Sequence, residues 1–284
     1  MSFISKLNRI IKSIKAFKET YKFGGFNEIN ITTIENKDLL KGKRILITGG
    51  GSGIGLSMAK KFISQGANVL ISGRNEDKLK NVIDSLSNKR LSYIVWDVTE
   101  TNLCDVKILE ANNLLGGDLD VLINNAGLQP KAFFPNVTEE EWIRIYETNS
   151  KGTFFLSQAI CKYWKANKSS NYRKIINISS QGGFVGATYP YRMTKWDVCG
   201  LTQGLGLAMA PYGILVNGIA PGVVKTEMQA FSLKQGNNTF CNQNLLNRVQ
   251  LPDEIADFAS FMISDACNFM VGQTILVDGG YSLK

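Results

Sequence analysis

The 284-residue chain contains no histidine. That absence excludes every Ser-His or Cys-His nucleophile pair and every metal site built on imidazole, and no metal is expected. Acid–base chemistry has to come from Tyr, Lys, Cys or carboxylates. The five cysteines, Cys104, Cys161, Cys199, Cys241 and Cys267, are scattered and never spaced C-x-x-C. They read as buried, reduced thiols of a cytoplasmic protein, not as a disulfide framework or zinc site. No apolar run approaches the roughly 18 residues of a membrane span. The N-terminus lacks the continuous apolar core of a signal peptide, so secretion is not expected. Dense runs of Lys and Arg are missing over most of the chain. The net charge of +8 therefore reads as a solvated surface that favours anionic ligands, without nucleic-acid binding.

What is present is 44% hydrophobic content on a length that suits one large α/β domain or two small ones. Residues 1–41 stand apart, with eight Lys/Arg against four Asp/Glu. Phe3, Leu7, Ile10, Ile14, Phe17 and Tyr21 follow a three-four spacing, with Lys6, Arg9, Lys12, Lys15 and Lys18 between them. This is the pattern of a basic amphipathic helix. It suits membrane-surface contact through residues 3–21, or a helix laid against its own domain or a neighbouring subunit, the reading preferred here. The expected organisation is an extension over 1–41 and one domain over 42–284.

Beyond residue 43, β-branched runs at 44–48, 68–72, 92–97, 121–124, 174–179, 215–220 and 274–277 read as strands. Segments of helical period, such as 56–65, 139–161 and 194–210, lie between them. The alternation predicts right-handed βαβ crossovers, hence a doubly wound α/β domain with about seven parallel strands and helices on both faces. The Asn/Gln-rich stretch 232–247 reads as a mobile loop with short helical pieces.

After the first strand runs Thr48-Gly49-Gly50-Gly51-Ser52-Gly53-Ile54-Gly55. Glycines at a strand-to-helix turn admit positive φ and bring backbone N–H groups and a helix N-terminus close to a pyrophosphate. The second strand ends Gly73-Arg74-Asn75. A carboxylate in this region would hold both ribose hydroxyls and repel a 2′-phosphate. Gly73 fills that slot and Arg74 offers a guanidinium, which favours NADP(H) and leaves NAD(H) open; alternatively, Arg74 pairs at the surface with Glu76 or Asp77.

Tyr191 and Lys195 are four residues apart in a helical segment, so they share a face. A tyrosine that titrates near 10 can work closer to neutrality beside an ammonium, helped by an oxidised nicotinamide. Ser180 ends a parallel strand, at the edge where open α/β sheets bind ligands. Asn124-Asn125-Ala126-Gly127 ends a second strand there, and Pro221-Gly222 with Thr226 ends a third.

With these motifs, to which Asp97-Val98, Asn149 and Gly272–Gly280 add, the sequence from about Leu40 to Tyr281 resembles the short-chain dehydrogenase/reductase family. The resemblance implies a Rossmann-type domain and NAD(P)-dependent hydride transfer between a carbonyl and a secondary alcohol. It implies that Gly49, Gly51, Ser52, Gly53, Ile54 and Gly55 cradle the pyrophosphate, and that Arg74, Asn75, Asp97 and Val98 meet the adenosine end. Asn125, Ala126 and Gly127 would line the cleft, with Asn125 stabilising the central strand. Pro221, Gly222, Val224 and Thr226 would orient the carboxamide. Tyr191 would be the general acid in reduction, and Lys195 would hold the ribose and lower the Tyr191 pKa. Ser180 would bind the substrate oxygen, and Asn149 a relay water.

Two features depart from the family pattern. Ser52 stands where many NADP-preferring relatives carry a basic residue, and the Ser180–Tyr191 interval is about two residues short. Substrate contacts are expected from Ser180, Gln181, Gly182, Tyr191 and Met228, within apolar and aromatic surroundings that include Phe133, Phe134 and a lid over 228–240. A 3-oxoacyl thioester and a keto-sugar or polyol both remain open. The rival functions are an NADP(H)-binding sensor or scaffold without turnover, and an epimerase or dehydratase. The latter is disfavoured by the glycine spacing and the short stretch after Pro221. By resemblance, the last strand pairs across a two-fold axis in a homotetramer, with a homodimer as the smaller alternative.

Overall fold

Short β-branched runs such as Arg-Ile-Leu-Ile-Thr are buried along their length and so cannot face water on either side. They form the middle of a sheet covered twice. A computed structural model describes residues 36–226 and 240–283, together with Leu7, Ile10, Ile11, Ser13, Ile14, Lys15, Phe17 and Lys18. Its seven strands are β1 (Arg44–Thr48), β2 (Asn68–Gly73), β3 (Leu91–Val95), β4 (Val121–Asn124), β5 (Arg173–Ile178), β6 (Ile214–Pro221) and β7 (Thr274–Val277). All pair in parallel, in the order β3-β2-β1-β4-β5-β6-β7. The order reverses between β1 and β4, which places a crevice above their carboxyl ends.

The connecting helices are α1 (Gly53–Ser64), α2 (Glu76–Leu86), α3 (Cys104–Leu114), α4 (Glu139–Tyr146), α5 (Thr153–Ala166), α6 (Pro190–Met209) and α7 (Pro252–Ile263). Alternation along β1 splits the core into two layers. Ile45 and Ile47 pack with Met58 and Phe62 of α1 and Met262 of α7. Leu46 faces the other way, toward Ile108 of α3 and Leu156 and Trp164 of α5. Leu40, on the extension's side of the expected boundary, is fully buried in the first layer.

Several boundaries differ from the sequence reading. The helical period over 139–161 resolves into α4, a π-helical turn Glu147–Gly152 and α5. β3 ends at Val95, which leaves Asp97 in the loop beyond it. α6 starts at Pro190, whose preset φ suits the first helical turn. Of the Asn/Gln-rich stretch and lid, residues 227–239 lie outside the described residues; the part from 240 to 247 forms turns and an isolated bridge between Phe240 and Arg248, with no helix. All five thiols are free, four buried and Cys199 half-buried.

Lys174 of β5 is buried, and its Nζ donates to the carbonyls of Met262 (3.1 Å), Ser264 (2.6 Å) and Cys267 (2.8 Å). It thereby closes the C-terminal end of α7. The described residues of the N-terminal segment are helical, and their apolar side chains are exposed. They are thus not laid against the chain's own domain, contrary to one of the expected arrangements. Among the described residues, no helix is long and apolar enough to cross a membrane.

Candidate active site

The crevice begins at the glycine loop. Gly49 has φ +66°, and a Cβ there would lie 3.0 Å from Ala126 Cα. A Cβ on Gly55 would meet Gly49 O at 2.5 Å and Asn125 Nδ2 at 2.6 Å. Only glycines let this loop fold so tightly onto the end of β4. Thr48 Oγ1 accepts from the backbone N–H groups of Asn125 and Ala126, and Asn125 Nδ2 donates to Thr48 O (2.9 Å) and Gly49 O (3.1 Å). Asn125 therefore ties the end of β4 to the β1 turn. The buried linkage to the neighbouring strand belongs to Asn124, whose amide donates to Ser157 Oγ and Asn177 Oδ1; Asn177 in turn donates to Thr202 Oγ1. This chain joins α5, β4, β5 and α6.

Ser52 caps α1 with no side-chain hydrogen bond, and the first turn holds no acid. The uncapped N–H groups and the helix dipole aim into the crevice beside Gly53 and Ile54. Thr226 approaches from the far wall: a Cβ on Gly53 would lie 3.2 Å from its Cγ2. Pro221, Gly222 and Val224 line the same wall. An adjoining cavity, which shares Gly49, Ser52, Ala126 and Gly127, is lined by Gly51, Arg74, Asn75, Asp97 and Val98.

In that second cavity Arg74 pairs with neither Glu76 nor Asp77. Its side chain is 60% exposed, with Nη1 3.7 Å from Asp97 Oδ2, while Glu76 bonds Lys80. Asn75 caps α2 through Lys78 N–H. Lys78, which the sequence reading omitted, also lines the cavity. Ser72 Oγ and Trp96 Nε1 are buried there without a hydrogen-bond partner among the described residues. The tight glycine cradle, the bare helix N-terminus, the cations and these two unpaired polar atoms fit a dinucleotide.

At the other end of the crevice stand Tyr191, Ser180 and Lys195. The Tyr191 hydroxyl faces the side chains of Ser180 and Gln129, which favour its ionised form. Lys195 Nζ donates to Ile178 O (2.8 Å) and lies 5.5 Å from the Tyr191 ring centroid. Ser179 Oγ donates to Lys195 O and so seats α6 on the end of β5. Burial pushes Tyr191 above the usual tyrosine range, against the pull of the Ser180 and Gln129 side chains, and pushes Lys195 down to about 8. Among the chain's own groups desolvation dominates at Tyr191, and the expected lowering by Lys195 does not offset it.

Asn149 does not line the crevice. It sits in the π-helical turn, where its Oδ1 accepts from Leu128 N–H and its Nδ2 donates to Leu128 O and Thr194 Oγ1. A Cβ on Gly127 would lie 3.5 Å from Asn149 Oδ1 and 3.8 Å from Lys195 Nζ, so the two polar groups gather beside that glycine. Gly55, Gln181 and Gly182 also stand behind the crevice wall; Ser180 Oγ accepts from Gly182 N–H, and Gln181 Oε1 is buried without a partner among the described residues. Met228 lies outside the described residues.

A second cation, after Lys78, escaped the sequence reading. Arg192, next to Tyr191, extends past Gly182, and its guanidinium donates to Gly186 O (3.0 Å) and Tyr281 Oη (3.2 Å) beside the Tyr189 ring. No carboxylate of the described residues pairs with it. Nothing in its sequence neighbourhood marks it, because Tyr281 is 89 positions away.

Residues 43–237 match the short chain dehydrogenase family. This chain belongs to that family. It is 31% identical to the 3-oxoacyl-[acyl-carrier-protein] reductase of Aquifex aeolicus, over 85% of this chain and 98% of that protein. Among solved structures it resembles a 3-ketoacyl-(acyl-carrier-protein) reductase from Brucella melitensis complexed with NADH (TM-score 0.78, 28% identity, 86% of this chain and 99% of that one). It also resembles a gluconate 5-dehydrogenase from Burkholderia cenocepacia in complex with NADP and tartrate (TM-score 0.76, 33% identity, 87% and 99%). This family member is an NAD(P)-dependent oxidoreductase that transfers hydride between a carbonyl and a secondary alcohol.

Proposed function

We propose that this enzyme is an NADP(H)-preferring carbonyl reductase of the cytoplasm, with Tyr191 as its general acid in reduction and general base in oxidation. The observation that carries the reading is the meeting of the Tyr191 hydroxyl with Ser180, in one crevice with Lys195 and the glycine loop. When bound, the nicotinamide supplies or takes the hydride. The chain's residues handle the oxygen and its proton. Ser180 donates a hydrogen bond to the carbonyl oxygen, and the Tyr191 proton passes to that oxygen as it becomes an alkoxide. Lys195 holds the nicotinamide ribose and supplies positive charge beside the tyrosinate left behind. Asn149 positions Leu128 and holds a relay water behind Lys195.

The NADP(H) preference rests on Arg74, a half-exposed guanidinium at the end of β2 with Lys78 in the same cavity. Asp97 gives its Oδ1 to Thr99, while its Oδ2 lies 3.7 Å from Arg74 Nη1, so a 2′-phosphate has to share or displace that contact. For the substrate, Arg192 favours an anionic keto-sugar or polyol acid, in keeping with the tartrate held by the Burkholderia relative. The 3-oxoacyl thioester is the second reading, supported by the Aquifex and Brucella relatives. The domain runs from about residue 42, with Leu40 as its anchor, and assembles as a homotetramer. Two surfaces support the assembly: β7, half-buried at the sheet edge, and the apolar face of α5 and α6 that joins Phe154 and Phe155 to Leu201, Leu205 and Met209.

The test is NADPH oxidation by the pure protein across keto-sugar acids, neutral ketoses and 3-oxoacyl thioesters, with NADH in parallel. Tyr191→Phe should lose about 10²- to 10⁴-fold in turnover while still binding cofactor. Arg74→Ala should raise the KM for NADPH by about 10- to 100-fold and leave that for NADH little changed. Retained activity in the first variant would overturn the mechanism. Equal losses in the second would remove Arg74 from the 2′-phosphate.

A further inference from the structure

The N-terminal helix is the one described element whose apolar residues are all turned to solvent. Leu7, Ile10, Ile11, Ile14 and Phe17 are exposed at 46%, 56%, 55%, 52% and 73%. At 100° per residue they fall within an arc of about 120°, a single face. The first 18 residues hold Lys6, Arg9, Lys12, Lys15 and Lys18 and no acid; the first carboxylate is Glu19. In the sequence, the same 100° spacing sets Lys6, Arg9, Lys12 and Lys15 outside that arc. Lys18, at the end of the apolar face, has a stem long enough to lie along it and lift its ammonium out.

We propose that this helix is a docking surface for an anionic phospholipid bilayer, lying in the interface plane with its five apolar side chains among the acyl chains. A strongly cationic polar face opposite a narrow apolar one is the pattern of interfacial helices. Each Lys or Arg near an anionic leaflet contributes about 1 kcal/mol, and the buried apolar area adds to this. A second copy of the helix is a worse occupant. Lys18 falls within the apolar arc, so pairing two such faces would press each Lys18 ammonium against the partner helix, with no acid in the first 18 residues to compensate it. The chain's own domain does not cover the face, as the exposures above state. The proposal is independent of the oxidoreductase's substrate and cofactor preference. It places the enzyme on the membrane surface, in keeping with described helices none of which is long and apolar enough to cross a membrane.

The experiment is co-sedimentation of the full chain with vesicles of phosphatidylcholine alone or with about a third phosphatidylglycerol, at 0.1 M and 0.5 M salt. The expected result is binding to the anionic vesicles, weaker by about tenfold or more on neutral vesicles and at high salt. The double variant Ile10→Asp/Ile14→Asp should lose about tenfold or more of that binding while NADPH-dependent turnover in solution, or its far-UV circular dichroism, is unchanged. Absence of binding by the wild-type chain would overturn the proposal. So would binding that survives the double variant, or a fall in the particle mass of that variant by light scattering, which would assign the face to contacts between copies.

Discussion

Tyr191 and Lys195 illustrate why the identity of a residue is not the whole of its chemistry. Burial acts on both in opposite directions, raising the phenol and lowering the ammonium to about 8. At neutral pH the phenol keeps its proton and the ammonium keeps its charge, the state a general acid needs for carbonyl reduction. Reductive kcat should therefore hold through neutrality and decline as pH passes about 8, where Lys195 begins to lose its charge. Alcohol oxidation needs Tyr191 deprotonated, so its rate should climb with pH from neutrality upward. Parallel pH–rate profiles in both directions check this, and a reductive rate that rises above pH 8 contradicts it. The Tyr191/Lys195 spacing was legible because four positions on a helix make one face. Arg192 was not, because its partners Gly186 and Tyr281 come from a loop and from the far end of the chain.

At the scale of elements, β5 joins the two halves of the site. Its carboxyl end carries Ser179 and Ser180 to the crevice, while Lys174 near its start ties down α7. Lys174→Met keeps the volume but leaves three buried carbonyls without their donor. The expected cost is about 3 kcal/mol, or roughly 6–12 °C in Tm for a domain of this size. Thermal unfolding at pH 7 measures it, and an unchanged Tm would mean that other donors replace the ammonium. The strands of the sheet were readable to within a residue or two from their β-branched runs, and β1, β4 and β7 match the sequence reading at both ends. The π-helical turn at Glu147–Gly152 was not, since one extra residue per turn leaves no mark on a hydrophobic period.

For the whole molecule, the outward face of α5 and α6 carries apolar side chains that the domain leaves uncovered. Phe154 and Phe155 stack edge to face, 5.2 Å between centroids, remain 44% and 41% exposed, and lie beside Leu201 of α6. In the proposed tetramer, a surface of that kind serves as a contact between copies. Light scattering of the wild-type protein should give four times the 31.4 kDa chain mass. Phe154→Glu/Phe155→Glu should give a smaller particle, since the substitution places charge in an apolar contact. A monomeric wild type, or a variant that keeps the wild-type mass, would remove this face from the assembly. The N-terminal helix belongs to this scale too, because its role depends on a partner outside the chain.

The sequence by itself determined the alternation of strands and helices, the glycine turn, the Tyr-Lys spacing and the absence of imidazole chemistry. Each of these is a local pattern, set by residues within a few positions of one another. Only the tertiary structure decided that Arg74 stands beside Asp97 rather than Glu76, and that Asn124 rather than Asn125 links β4 to β5. It also decided that Asn149 is held behind Gly127 and that the basic helix leaves its apolar face uncovered. Those outcomes depend on distances between residues far apart in the chain, which the packing of two helical layers on one sheet sets and no local spacing encodes.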